Sequence, residues 1–200
     1  MKTVVIKVNS SGTGMQDALD LSENLAADVG LSRSENLRLR LLAEELFGML
    51  RSIAGGAEAS YWIEYEGKSF TIHLDTDIPL SQERRKHLLS VSTSGTNSEA
   101  KGIMGKIKDV ISSMLLPSES PSPVLSMGLV DYDSVDGYYS GLTAYDWSLK
   151  TYRSEVEQGT DDKAKEAWDE LEKSIIANIA DEVKIGIKGS SVNITVYKKF

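Results

Sequence analysis

Residues 32–53 read SRSENLRLRLLAEELFGMLRSI, and the reading of this stretch decides the fold. Ser32 followed three residues on by Glu35 is a capping-box signature, in which hydroxyl and carboxylate each take a backbone N–H that the first helical turn leaves unpaired. Leu39, Leu42, Leu46, Leu50 and Ile53 then recur at steps of three and four, so one side of the helix is apolar and faces a core. Glu44 and Glu45 interrupt that run. Glu45 and Met49 are four apart and stand one above the other on a strip beside the apolar face.

Before this helix, Thr3 to Val8 alternates Val and Ile with polar residues and predicts a strand with one buried face. Thr13 with Gln16 forms a second capping box, and Met15, Ala18, Leu19, Leu25, Ala26 and Val29 give a helical stripe closed by Gly30. After it, SYWIEYE (60–66) and SFTIHLD (69–75) predict an antiparallel hairpin turning through Gly67. Beyond Pro79, SQERRKHLLSV reads as a short helix with a basic exposed side, and 92–100 as a small, polar loop. KGIMGKIKDVISSMLL (101–116) resumes helical spacing; a helix opening at a glycine after such a loop offers free N–H groups and a positive dipole end to an anion. PSESPSP (117–123) is a connector, and Tyr and Trp cluster from 124 to 159. The aromatics suit either a protein interface or the cap of a core. Ala144 to Glu157 predicts a helix with Tyr145, Leu149, Tyr152 and Val156 on one side, and Asp161 to Asp181 another, lined by Ala164, Trp168, Leu171, Ile175 and Ile179. VKIGIKGSSVNITVYKKF closes the chain as a hairpin turning at Gly189. The order predicts an α+β fold, with helices on one face of a mixed, mostly antiparallel sheet.

The net charge of −8 and pI near 4.9 argue against a nucleic-acid partner, because phosphate binding draws on a basic surface. No apolar run is long enough to span a bilayer, and MKTVVIKVNSSG lacks a signal-peptide core, so no membrane association is expected and a cytoplasmic location is. The absence of cysteine excludes disulfides and thiolate metal sites. His73 and His87 fall in different elements without metal-ligand spacing, so no protein metal site is expected.

These elements resemble, in order and in local wording, the ATP-binding domain of the bacterial anti-sigma-factor serine kinases, members of the GHKL superfamily. The resemblance runs through LRLRLLAEELFGML, where the family's N-box has a Glu followed four residues on by an Asn, then the hairpin with its terminal Asp. It continues in AKGIMGKIKDVI, similar to the second glycine box, and in ADEVKIGIKGSSVNITVYKKF, similar to the closing segment. It covers about residues 1–116 and 180–200. The implied fold is one GHKL-type α/β sandwich over residues 1–200, with an aromatic-rich helical insertion at 117–180 before the last hairpin.

The resemblance implies Glu45 as general base, ATP and magnesium as cofactors, Asp75 (or Asp77) as the reader of the adenine amino group, and Lys101, Gly102 and Gly105 as the phosphate cradle, with Lys106 a second candidate. Where the family holds magnesium with Asn, this chain has Met49, and a soft thioether does not replace a hard oxygen donor. Thr76, Ile78 and Leu80 stand where glycines would admit the purine, and Ala100 replaces another glycine. The function expected is therefore a bacterial regulator acting by protein binding, with weak or absent nucleotide binding. Its implied partners are a sigma factor or an anti-sigma antagonist, and a second copy of the chain. The alternative is an active ATP-dependent serine/threonine kinase or ATPase using Glu45, Asp75, Gly102 and Gly105; a third reading is a small-molecule pocket lined by Met49, Asp75 and Gly102.

Overall fold

The structure, a computed structural model, describes residues 1–53, 56–78, 144–159, 169, 174–188 and 190–200. The elements are β1 (Ile6–Asn9), α1 (Met15–Asp28), α2 (Arg33–Ile53), β2 (Glu58–Glu66), β3 (Ser69–Asp77), β4 (Ala144–Ser148), α3 (Leu149–Gln158), α4 (Ile175–Ile179), β5 (Glu182–Lys188) and β6 (Ser191–Lys199). The expected elements at 81–91, 92–100 and 101–116, the connector at 117–123 and Gly189 lie outside the described residues.

The Ser32 box forms. Ser32 N donates to Glu35 Oε2 at 2.6 Å, and Glu35 N donates to Ser32 Oγ at 3.4 Å. Leu39, Leu42, Leu46 and Leu50 are fully buried, as the spacing requires, with Ala43 and Phe47 beside them. α1 buries Met15, Ala18, Leu19, Leu25 and Ala26, and ends at Gly30 with φ +71°. Its one buried polar side chain, Ser22, donates to Ala18 O at 2.7 Å, so the Tyr61 hydroxyl 2.8 Å away must be the donor to Ser22 Oγ. Burial raises the Tyr61 pKa well above that of a free phenol. The Thr13 box does not form: α1 starts at Met15 behind Gly14, with no side-chain cap.

The strands form one six-stranded sheet in the order β1-β2-β3-β6-β5-β4. Every pairing among the described residues is antiparallel, where the sequence predicts a mixed, mostly antiparallel sheet. The reason is the connections: two-residue loops join β2 to β3 and β5 to β6, and such loops reverse the strand. In the first of them Gly67 takes φ +55° and Lys68 has no positive φ, the type II′ pattern. Ala59, Tyr61 and Ile63, Phe70, Ile72 and Leu74, Val183 and Ile185, and Val192, Ile194 and Val196 share one buried face with α1 and α2. Trp62, His73, Asp75, Asn193 and Thr195 alternate with them onto the other face.

The first strand departs from its expected span of Thr3 to Val8. Thr3 N donates to Ile63 O at 2.9 Å and Ile6 pairs with Tyr61, so Val4 and Val5 together oppose Trp62. Two residues against one make a bulge, and it leaves Val4 70% and Val5 50% exposed.

The segment after Ala144 differs more. Ala144–Ser148 is an edge strand rather than the first turns of a helix, and the helix begins only at Leu149. Ser148 Oγ accepts from Thr151 N at 3.4 Å, and Glu182, reaching across from β5, accepts from Lys150 N at 3.2 Å; these caps place the helix start after Ser148. Trp147 is buried with Tyr152 5.9 Å away, so these two aromatics cap the core. The helix expected over 161–181 is not continuous: Ser174 is extended (φ −82°, ψ 122°) and caps α4 by accepting from Ala177 N. Within α4, Ile176 and Ala177 are buried and Ile179 packs partly buried against the core, while Ile175, expected on the apolar line, is exposed.

Candidate functional site

Glu45 sits on α2 between the buried Leu42 and Leu46 and is half-buried itself. Burial pushes its carboxyl pKa up, and the neighbouring Glu44 adds to the shift. Glu44 is held by Arg40 Nε at 2.9 Å, and Arg40 also binds Glu23 on α1, so the two helices are tied by a carboxylate–guanidinium–carboxylate bridge. Glu45 has no ion pair among the described residues. Arg51, in the last turn of α2, directs its guanidinium to Met15 Sδ at 3.3 Å. A half-buried carboxylate with a raised pKa is chemically suited to accept a proton.

Met49, on the same strip, is 1% exposed and belongs to the hydrophobic core. The thioether behaves there as a flexible core filler.

Asp75 lies on β3 between Leu74 and Thr76, both buried against the helix side of the sheet, so its carboxylate points to the opposite face. Its register partner on β6 is Asn193, whose Nδ2 donates to Asp75 Oδ1, while Thr195 Oγ1 donates to Asn193 Oδ1 at 2.9 Å. Thr76 Oγ1 closes the strand on the core side by donating to Glu58 O at 2.9 Å. Met49 and Asp75 therefore do not line one pocket, which corrects the small-molecule pocket drawn from them, and Glu45 and Asp75 lie on different sides of the sheet. Asp77 is exposed at the end of β3. Lys101, Gly102, Gly105 and Lys106 lie outside the described residues.

Among the described residues no group of three or more His, Asp or Glu is placed to hold a metal ion. None of their helices is long and apolar enough to cross a membrane.

Two organising polar residues escaped the sequence reading. Asn193 is the partner that fixes Asp75, and strand parity would have revealed it once β3 and β6 were paired. Glu182 is buried on β5 and accepts from Ser148 Oγ and Lys150 N at 3.2 Å and from Val183 N at 3.0 Å, fastening the end of β4 and the start of α3 to the sheet. No local pattern marks it, because Ser148 and Lys150 lie 34 and 32 residues away in the chain.

Comparison of the chain with protein-family models, with curated proteins and with solved structures finds no match.

Proposed function

We propose that this protein is a regulator that works by binding another protein, on a scaffold resembling that of the anti-sigma-factor kinases, without phosphoryl transfer. The observation that carries this reading is the separation of the two carboxylates. A general base and an adenine reader serve one nucleotide only if both reach it, yet Glu45 lies with the helix layer and Asp75 points away from it, engaged by Asn193. The burial of Met49 supports the same reading, since a metal anchor must face the metal. The partner class is the one the sequence resemblance implies, a sigma factor or its antagonist, with self-association as a further mode.

The test is thermal melting with millimolar ATP and magnesium. A ligand at a hundred times its Kd adds about 2.7 kcal/mol to the native state, a readily measured rise in Tm. The regulator reading expects no rise. A rise that requires magnesium would overturn it and restore the second reading, an ATP-dependent serine/threonine kinase using Glu45, Asp75, Gly102 and Gly105. That second reading draws on one observation, the raised pKa of Glu45, and it expects Met49→Asn to strengthen the magnesium dependence.

A further inference from the structure

The face of the sheet turned away from the helices carries a stack that the proposed function does not use. Trp62 on β2 stands between Lys2, from the β1 side, and His73, from the β3 side. The imidazole lies parallel to the indole, 6° between planes and 4.7 Å between centroids, and Lys2 Nζ is 4.5 Å from the Trp62 ring centroid. Glu64 receives the indole N–H at 3.3 Å and stands 3.8 Å from His73 Nε2, which is buried and has no hydrogen-bond partner.

This stack sits where the N-terminal segment meets the sheet. Lys2 bridges to Glu64, Thr3 N donates to Ile63 O at 2.9 Å, and Tyr65 N donates to Met1 O at 2.8 Å; regular pairing resumes only at Ile6. The segment is also held by the Met1 ammonium, which donates to Tyr65 O at 2.6 Å, and by Thr3 Oγ1, which accepts from Ile63 N at 3.0 Å; the Lys2 ammonium over Trp62 is the anchor that touches the stack.

We infer that His73 is a proton sensor for the docking of Met1–Val5 on the sheet edge: neutral, it completes the stack that holds Lys2, and protonated, it releases it. The indole offers its π density to one cation, Lys2. An imidazolium against the same ring competes for that density, repels Lys2, and draws Glu64 away from the indole N–H toward Nε2. The charged groups facing His73 are Lys2 from the β1 side, Glu64 on β2 and Asp75 on its own strand. From β6 it faces Thr195, flanked by Asn193, neither of which titrates, and Lys184 on β5 pairs with Thr195 one strand further out.

Burial lowers the His73 pKa, with Lys2 acting in the same direction and Glu64 and Asp75 opposing. Of these groups only Lys2 leaves when the segment undocks, so the undocked imidazole binds its proton more tightly than the docked one, and docking is complete above the undocked value and weakens as pH falls through the docked value.

The experiment is amide exchange of the whole chain by NMR across pH 4.5 to 8, corrected for intrinsic rates, with the imidazole resonances followed in the same samples and assigned with His87→Gln. Protection of the Thr3 and Tyr65 amides is expected to fall with the midpoint of the His73 ring, by about tenfold for each pKa unit that docking removes. In His73→Phe, which keeps an aromatic ring but carries no proton, that protection is expected to stay flat. Protection that holds while His73 titrates overturns the inference, as does the same loss in His73→Phe. If that variant fails to fold, coincidence or separation of the two midpoints in the wild-type chain decides alone.

Discussion

The two long helices begin with the same written signature, and only one of them uses it. At Ser32 the box closes as the sequence says, with Glu35 Oε2 on the Ser32 amide and Ser32 Oγ on the Glu35 amide. At Thr13 the residues Thr and Gln are in the right places, yet Thr13 is exposed and Gln16 donates to Asp20 at 2.7 Å instead of reaching back. What intervenes is Asn9. Its Oδ1 accepts from Ser11 N at 3.1 Å, Ser11 Oγ at 2.6 Å and Thr13 N at 3.0 Å, building a tight turn directly after β1. The chain then reaches α1 through Gly14 in the left-handed region, φ +74°. A capping box needs an extended N-cap residue, and a short strand-to-helix connection stapled by an upstream side chain denies it one. The lesson is that a local motif is read correctly only when the residues before it leave the backbone free to adopt it.

The largest break in this comparison comes from Gly14. A Cβ there would lie 2.1 Å from Lys7 O, a backbone atom, in a conformation that already penalises L side chains. Gly14→Ala is expected to cost about 3 kcal/mol or more, measured by urea unfolding, whereas Gly30→Ala, whose Cβ would meet open space, loses only the left-handed penalty of about 1–2 kcal/mol. Equal losses would show that the connection at Gly14 is not close-packed.

Next comes Asn9→Ala, which removes the acceptor of three hydrogen bonds and is expected to cost about 1–2 kcal/mol. The smaller contrast is between the two boxes themselves: Ser32→Ala should cost about 1 kcal/mol, and Thr13→Ala less than about 0.5 kcal/mol, because only the first hydroxyl caps anything. A larger loss at Thr13 than at Ser32 would invert the account.

The same contrast explains how much was legible. Leu39, Leu42, Leu46 and Leu50 were readable because a helix spanning more than five turns repeats its burial pattern, and β2 and β3 because strict alternation flanks a Gly turn. The N-terminal bulge at Val4 and Val5 was not, since two valines against one tryptophan is a property of the pair rather than of either strand. The strand at 144–148 was misread because Tyr145, Leu149, Tyr152 and Val156 fit a helical step. What fixes the helix start is the Ser148 cap and Glu182, brought up by tertiary pairing. In the candidate site, helical spacing puts Glu45 and Met49 on one strip beside the apolar face, but Met49 belongs to the core while Glu45 is half-buried. The direction of Asp75 depends on strand parity relative to the core: Leu74 and Thr76 claim the helix side, so the carboxylate between them is turned away.

The finest test of the box at Ser32 is its response to acid. The Ser32 amide and hydroxyl, with Lys68 Nζ at 3.2 Å, hold the Glu35 carboxyl down to a pKa of about 2 from an ordinary value of 4.5. The folded carboxylate thus binds its proton more weakly than the unfolded one, so its contribution is complete above pH 4.5 and is lost as pH falls toward 2. Glu35→Gln keeps a group able to accept from the Ser32 amide but cannot titrate. Its unfolding midpoint in urea should therefore fall less steeply than the wild type's between pH 4.5 and 2, and the two slopes should agree above pH 5. Gln16→Glu supplies the control: a carboxylate written into the box that never closed finds no amide to accept from, so it should add no acid dependence beyond that of an exposed side chain. Acid sensitivity appearing there would mean that the Thr13 box closes once its third position carries a charge, and that the Asn9 turn is weaker than its three hydrogen bonds indicate.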